Sequence, residues 1–126
     1  MTAVIDASAL IALLADETGA DQVAAALPDA QISAVNFAEV AAKLVDRGMP
    51  NREVKEILAD LALDVVSFDS SQALLSGDLR SITRDLGLSL GDRACLSLGV
   101  TSGSQVYTAD RAWKDLDLGI EIRLTR

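Results

Sequence analysis

Short apolar runs alternate along the chain with longer segments in which apolar residues recur every three or four positions. The runs predict buried strands, and the periodic segments predict helices. Strands are predicted at residues 2–5, 31–33, 65–68, 105–108 and 120–124, and helices at residues 6–14, 21–27, 35–48, 51–61, 70–86, 92–100 and around Trp113. This alternation predicts an α/β fold with a central parallel sheet of about four to five strands and helices on both faces. The length predicts one domain, residues 1–126.

Half of the residues are hydrophobic, and the mean hydropathy is +0.29. The excess lies mostly in Ala, Leu and Val, which predicts an apolar surface that a partner or a second copy covers. No apolar run approaches the roughly 18 residues needed to cross a bilayer. The N-terminus begins with a strand pattern and has no basic segment, so we expect no signal peptide and a cytoplasmic location.

The chain contains no histidine and one cysteine, Cys95. The absence of histidine excludes Ser-His-Asp and Cys-His catalysis and imidazole-bound zinc. A single cysteine excludes an internal disulfide, a thiolate zinc site and an iron–sulfur cluster, and we expect Cys95 to be a small buried apolar residue. Any chemistry must therefore use carboxylates together with a cation that prefers oxygen ligands.

The formal net charge is −8, and residues 1–42 hold six acidic residues without one Lys or Arg. This charge argues against a protein that binds nucleic acid through bulk electrostatics. A nuclease remains compatible with it, because acids that bind a metal present a positive ion to the phosphate. We expect phosphate contacts from the later bases, such as Arg80, Arg84, Arg93, Arg111 and Lys114.

Three acidic residues lie where predicted strands end or helices begin: Asp6, Asp92 and Asp110. Each is consistent with an N-cap, because an Asp side chain there accepts a hydrogen bond from a free backbone N–H. Each is equally consistent with a site, because open α/β sheets bind ligands outside the carboxyl ends of their strands. Sequence position alone leaves both readings open.

A fourth acid, Glu39, lies within a predicted helix whose other residues are mostly apolar. Glu39 could pair with Lys43 on a solvated face, or its polar stripe could line a cleft. Four carboxylates about 5 Å apart would repel by roughly 3 kcal/mol per pair at an effective dielectric near 20. A shared pocket therefore requires protonated carboxyls or divalent cations, and we predict cations.

Four segments together resemble PIN-domain ribonucleases, specifically the VapC-type toxins of bacterial toxin–antitoxin pairs. They are VIDASAL at residues 4–10, SAVNFAEV at 33–40, LSLGDRACL at 88–96 and YTADRAW at 107–113. Their order and spacing carry the resemblance across nearly the whole chain. Residues 52–86 have no family motif and match only in their helical pattern.

The resemblance implies a type II toxin, an endoribonuclease that depends on Mg²⁺ or Mn²⁺ and acts through a metal-activated water. It assigns metal binding and catalysis to an acidic quartet and supporting roles to Ser8 and Thr108. It also implies a homodimer and a cognate antitoxin protein that wraps the toxin and blocks its site. The quartet is Asp6, Glu39, Asp92 and Asp110.

Other functions remain open at this point. A structure-specific DNA nuclease uses similar acids, and a non-catalytic protein-binding module would use the same acids only as caps. Metal titration separates that module from a nuclease. A phospho-acceptor signalling domain would need adjacent acids after the first strand and a Lys after a late strand, but Asp6 stands alone and Arg111 occupies the late position.

Overall fold

A central parallel sheet organises the computed structural model, which describes residues 2–126. Within these residues the sheet has five strands in the order β3-β2-β1-β4-β5, and every neighbouring pair is parallel. This arrangement confirms the predicted α/β class. The strands are β1 (Ala3–Ile5), β2 (Ala30–Ser33), β3 (Asp64–Val66), β4 (Gln105–Thr108) and β5 (Ile122–Leu124).

Six α-helices of the described chain connect and cover these strands. They are α1 (Ala7–Leu14), α2 (Ala20–Ala26), α3 (Ala34–Asp46), α4 (Asn51–Asp60), α5 (Ser70–Thr83) and α6 (Leu90–Ser102), and short 3-10 turns follow at Leu27–Asp29, Arg84–Leu86 and Arg111–Trp113. Side-chain caps begin several of them: Ser33 accepts from Val35 N, and Asp69 accepts from Gln72 N. None of these helices has the length and apolar character needed to cross a bilayer.

Separate hydrophobic cores lie on the two faces of the sheet, as the predicted layers require. Successive side chains of a strand point to opposite faces, so Ile5 packs with one core and Val4 with the other. The Ile5 core includes Leu10, Val23, Ile32, Val40, Val54 and Leu58, whereas the Val4 core includes Leu79, Cys95, Leu96, Val106 and Trp113.

The third strand differs from its prediction as a buried strand at residues 65–68. It covers Asp64–Val66, and Asp64 and Val65 are exposed. The reason is its position at the edge of the sheet, where it pairs only with β2. An apolar dipeptide therefore does not distinguish an edge strand from a central one.

Strand β1 lies where the chain changes direction across the sheet. The path runs from β1 through β2 to β3 on one side, and β4 and β5 add on the other. In open α/β sheets the crevice at such a switch point, outside the carboxyl ends of the strands, is the usual ligand site. Asp6 follows β1 at this place, and Asp110 lies two residues after β4.

Candidate active site

A cleft of about 350 Å³ opens at the carboxyl ends of β1 and β4. The structure brings Asp6, Glu39, Asp92 and Asp110 onto its walls, although these residues come from four separate parts of the chain. The polar or charged lining also includes Ser8, Glu17, Asn36, Lys43, Arg47 and Arg126.

Asp6 lies at the bottom of this cleft and is only 4% exposed. Its carboxylate accepts hydrogen bonds from Ala9 N (2.9 Å), Ser8 Oγ (2.8 Å) and Thr108 Oγ1 (2.8 Å). Burial raises the pKa of Asp6 to about 6, and the nearby charge of Asp92 also raises it. The three hydrogen-bond donors lower the pKa but do not cancel the effect of burial. Asp6 is therefore both the N-cap of α1 and a buried acid in a cleft, so the two sequence readings coexist.

The hydroxyls of Ser8, in the first turn of α1, and Thr108, the last residue of β4, connect the start of α1 to the segment that follows β4. Besides donating to Asp6, Ser8 Oγ accepts from Ala109 N at 3.0 Å, and Thr108 Oγ1 accepts from Asp110 N at 3.0 Å. The Asp110 side chain accepts from Ala112 N at 2.9 Å and starts a 3-10 turn. These contacts fix the positions of Asp6 and Asp110 relative to each other.

Asp92 enters the cleft from the first turn of α6. It forms a capping box with Ser89: Ser89 N donates to Asp92 Oδ2 at 2.9 Å, and Asp92 N donates to Ser89 Oγ at 3.2 Å. The helix therefore begins at Leu90, two residues before the predicted start. The capping box uses one carboxylate oxygen of Asp92, and the other, Oδ1, has no hydrogen-bond partner among residues 2–126.

Glu39 lies on α3 and faces α6 across the cleft. Asn36 Nδ2 donates to Glu39 Oε1 at 2.9 Å. The ion pairs within residues 2–126 are Arg52–Glu56, Arg123–Glu121 and Arg126–Glu17. The alternative that Glu39 pairs with Lys43 is therefore wrong, and Lys43 also lines the cleft.

The cations at the cleft are Lys43, Arg47 and Arg126. None of the five bases expected to contact phosphate lines it, so the expectation that they contact phosphate stays a prediction for surfaces outside this cleft. Arg93, for example, points to α5 and donates from Nη1 to Ser76 O at 3.0 Å. Lys43 and Arg47 follow Glu39 at intervals of four residues, a helical signal present in the sequence. Arg126 has no local signal, because only folding brings the C-terminus to this edge.

Cys95 is fully buried one helical turn after Asp92. Burial raises the pKa of its thiol, and the charges of Asp6, Asp92 and Glu39 raise it further. The thiol is therefore held in its unreactive protonated form. Because their charges all act on the Cys95 thiol, three of the four acids lie near this one residue: Asp6, Asp92 and Glu39.

A hydrated divalent cation fits this set of donors. Within residues 2–126, no three acidic or cysteine side chains converge as a preformed cage for one ion. Mg²⁺ does not need such a cage, because it keeps several waters and uses one or two carboxylates. Asp6 and Asp92 act on each other electrostatically and both line the cleft, so they would hold the ion. Glu39 and Asp110 would reach it directly or through water.

The profile of the PIN domain family matches residues 3–118 of the chain. The chain belongs to the PIN domain family. Ribonuclease VapC42 of Mycobacterium tuberculosis is 33% identical to this PIN domain over 103 residues, which cover 78% of the chain and 76% of the relative. A VapC ribonuclease of Mycobacterium bovis, Mb2780c, matches to the same extent. The PIN domain described here is therefore of the VapC type.

Solved structures share the complete fold of this PIN domain. A toxin–antitoxin complex from Klebsiella pneumoniae contains a chain that superposes with a TM-score of 0.75 at 19% identity and covers 99% of this chain and 98% of its own. DNA-bound VapBC from Salmonella typhimurium gives a TM-score of 0.76 at 14% identity, with coverage of 100% and 99%. At these identities the likeness shows the fold alone.

Proposed function

We propose that this PIN domain is a metal-dependent endoribonuclease and the toxin of a toxin–antitoxin pair. The observation that carries the proposal is that one cleft is lined by all four acids, Asp6, Glu39, Asp92 and Asp110. The names of the relatives support the choice of RNA, because both are ribonucleases at 33% identity. Cleavage of RNA also accords with the cytoplasmic location expected from the sequence.

The buried Asp6 carboxylate and Asp92 bind the cation in this proposal. When bound, Mg²⁺ or Mn²⁺ lowers the pKa of a water and offsets negative charge on the scissile phosphate. Ser8 and Thr108 orient the Asp6 carboxylate by donating to it. Glu39 would complete the ligand set, and Asp110 would hold a second ion or orient a water. The chain needs no imidazole base for this chemistry, in agreement with its lack of histidine.

Incubation of RNA with the purified protein tests this function. Cleavage should require Mg²⁺ or Mn²⁺, stop with chelator and stop again when a cognate antitoxin is added in excess. Sequencing the RNA ends gives the cleavage sites, and single-stranded and branched DNA test the alternative of a DNA nuclease. Metal-independent cleavage, cleavage of DNA alone, or no cleavage of any RNA with either metal would contradict the proposal.

The cationic rim of the cleft, Lys43 and Arg47, binds the phosphates of the RNA that flank the cut. Both side chains are exposed and make no ion pair or hydrogen bond with any of residues 2–126. Lys43 lies on α3 and Arg47 is the C-cap residue of that helix, and both line the same cleft as the four carboxylates. Because a phosphate contact positions a nucleic acid without reading its sequence, this rim sets affinity more than cleavage preference.

Replacing Lys43 and Arg47 by Ala should raise the KM for RNA about tenfold, with kcat within about threefold of the parent, because each cation neutralises one phosphate. The slope of log KM against log salt should decrease by about 2. Lys55→Ala on α4 is the matched control, since Lys55 is exposed and does not line the cleft. An unchanged KM in the double variant would exclude the rim from substrate binding.

An antitoxin segment would occupy the apolar groove next to the acidic cleft. This groove of about 240 Å³ is lined by Leu14, Ala15, Leu44, Met49 and Ile57, and Arg47 borders both spaces. A segment with apolar side chains in the groove and a basic residue directed at the carboxylates would match the surface in shape and charge. The cited neighbours include toxin–antitoxin complexes, which supports this kind of partner. Loss of inhibition in Ile57→Asp, with cleavage retained, tests the contact, because Ile57 lines the groove, is partly exposed and lies outside the two hydrophobic cores.

A second copy of the chain would cover the apolar face of α5. Leu74 and Ile82 are 73% and 61% exposed, and Leu86 and Leu90 continue the apolar surface. Exposed apolar area of this extent is consistent with an interface. Replacing Leu74 and Ile82 by Glu should halve the mass measured by sedimentation equilibrium, because charges there oppose burial. A parent protein that is monomeric at the same concentration would contradict the homodimer.

A further inference from the structure

Asn36 is a buried amide that joins α3 to α6. It is 1% exposed, and its Nδ2 donates both to Gly91 O and to Glu39 Oε1, each at 2.9 Å. Its Oδ1 is buried without a hydrogen-bond partner in the described chain. The orientation of the amide is nevertheless determined, because the opposite one would place Oδ1 against two acceptor oxygens.

Gly91 provides the surface against which the Glu39 carboxylate lies. A Cβ at residue 91 would contact Glu39 Oε1 and would lie 2.5 Å from Oε2 and 2.6 Å from Cδ. Gly91 is in the first turn of α6, and its φ is not in the left-handed region. Its backbone therefore does not require glycine, whereas the approach of the carboxylate does.

We propose that Asn36 and Gly91 are positioning residues that hold the Glu39 carboxylate beside Asp92. Glu39 is exposed and has several rotatable bonds, so its carboxylate keeps one position only if neighbouring groups hold it there. Asn36 Nδ2 donates to one oxygen of the Glu39 carboxylate. Gly91, the residue before Asp92 in the sequence, has no side chain and so leaves the space that this carboxylate occupies. The inference rests on the proposed function, because it assigns Glu39 to the ligand set.

A buried amide between two helices could also serve only to hold α3 against α6, so the test must distinguish this structural role from the positioning of Glu39. The variant Gly91→Ala distinguishes them. It adds a methyl group where the Glu39 carboxylate lies, while alanine has the higher helix propensity. The melting temperature should therefore stay the same or rise while activity falls. Gly77→Ala on α5 is the matched control, since a Cβ there meets nothing within 4 Å.

A double-mutant cycle with Glu39→Ala is the decisive experiment. Asn36→Leu and Gly91→Ala should each weaken Mn²⁺ binding about tenfold by calorimetry and lower kcat for RNA about 10- to 100-fold, with little change in KM. In the Glu39→Ala background each should have less than about a twofold further effect, because the carboxylate they position is gone. Equal losses in both backgrounds would overturn the proposal.

Crystal structures of the two metal-free variants separate this inference from the nuclease proposal. If the parent neither cuts RNA nor binds Mn²⁺, the proposed function fails, and the Glu39 position still tests the inference. Displacement of the Glu39 carboxylate from residue 91 in Asn36→Leu supports it. A carboxylate that stays in place without the amide contradicts it.

Discussion

Asp6→Asn and Asp92→Asn are each expected to reduce RNA cleavage about 10³-fold or more, to below detection in most assays, while the protein stays folded. Each substitution removes one negative charge that would bind the cation. Without the cation, nothing offsets the negative charge that develops on the phosphate. The asparagine oxygen can still accept the backbone hydrogen bond that each aspartate accepts, from Ala9 at Asp6 and from Ser89 at Asp92. Both helix N-termini should therefore remain intact.

Cleavage rates in Mg²⁺, circular dichroism and Mn²⁺ titration together check this prediction. The matched control is Asp117→Asn, because Asp117 is exposed and does not line the cleft. It should cleave RNA at the rate of the parent. Cleavage at parental rate by either site variant would remove that residue from the catalytic set, and loss of activity together with loss of helix would show a capping role instead.

The location of two of the four acids could be predicted from a general rule of open α/β sheets. Asp6 and Asp110 follow strands that the apolar runs identify, and parallel strands bring their carboxyl ends to one edge. Local patterns therefore place Asp6 and Asp110 at this edge but leave a capping role equally open, and the resemblance to PIN domains is what assigned all four acids to one site. The helical period also indicates a polar stripe on α3 that includes Glu39 and Lys43.

The contacts that hold the site could not be predicted, because they depend on packing between distant elements. Asn36 and Gly91 are 55 residues apart in the chain and meet only where α3 packs on α6. Arg126 reaches the cleft because the last strand pairs beside β4. No periodicity in the sequence specifies such pairs, and the exposed edge position of β3 escaped prediction for the same reason.

The stability of the metal-free protein should also depend on the ionisation of Asp6. Burial raises its pKa from an ordinary value of 3.8 to about 6, so between these values the folded state binds more protons than the unfolded state. Stability from this group is therefore present below pH 3.8 and is lost as the pH rises toward 6. The loss amounts to about 3 kcal/mol at pH 7, because one pKa unit corresponds to about 1.36 kcal/mol.

Asp6→Asn removes this titration, so its stability relative to the parent should increase by about 2.4 kcal/mol between pH 4 and pH 7, because part of the loss has already occurred at pH 4. For a chain of this length the melting temperature of the variant relative to the parent should rise by roughly 10 °C over that interval. Thermal melts in chelator at both pH values measure the difference, with Asp117→Asn as the control that should show none. Saturating Mg²⁺ at pH 7 should stabilise the parent more than Asp6→Asn, because the cation binds the ionised carboxylate. If the melting temperatures of variant and parent differ by the same amount at pH 4 and pH 7, Asp6 has the same pKa in the folded protein as in the unfolded chain, and the prediction is wrong.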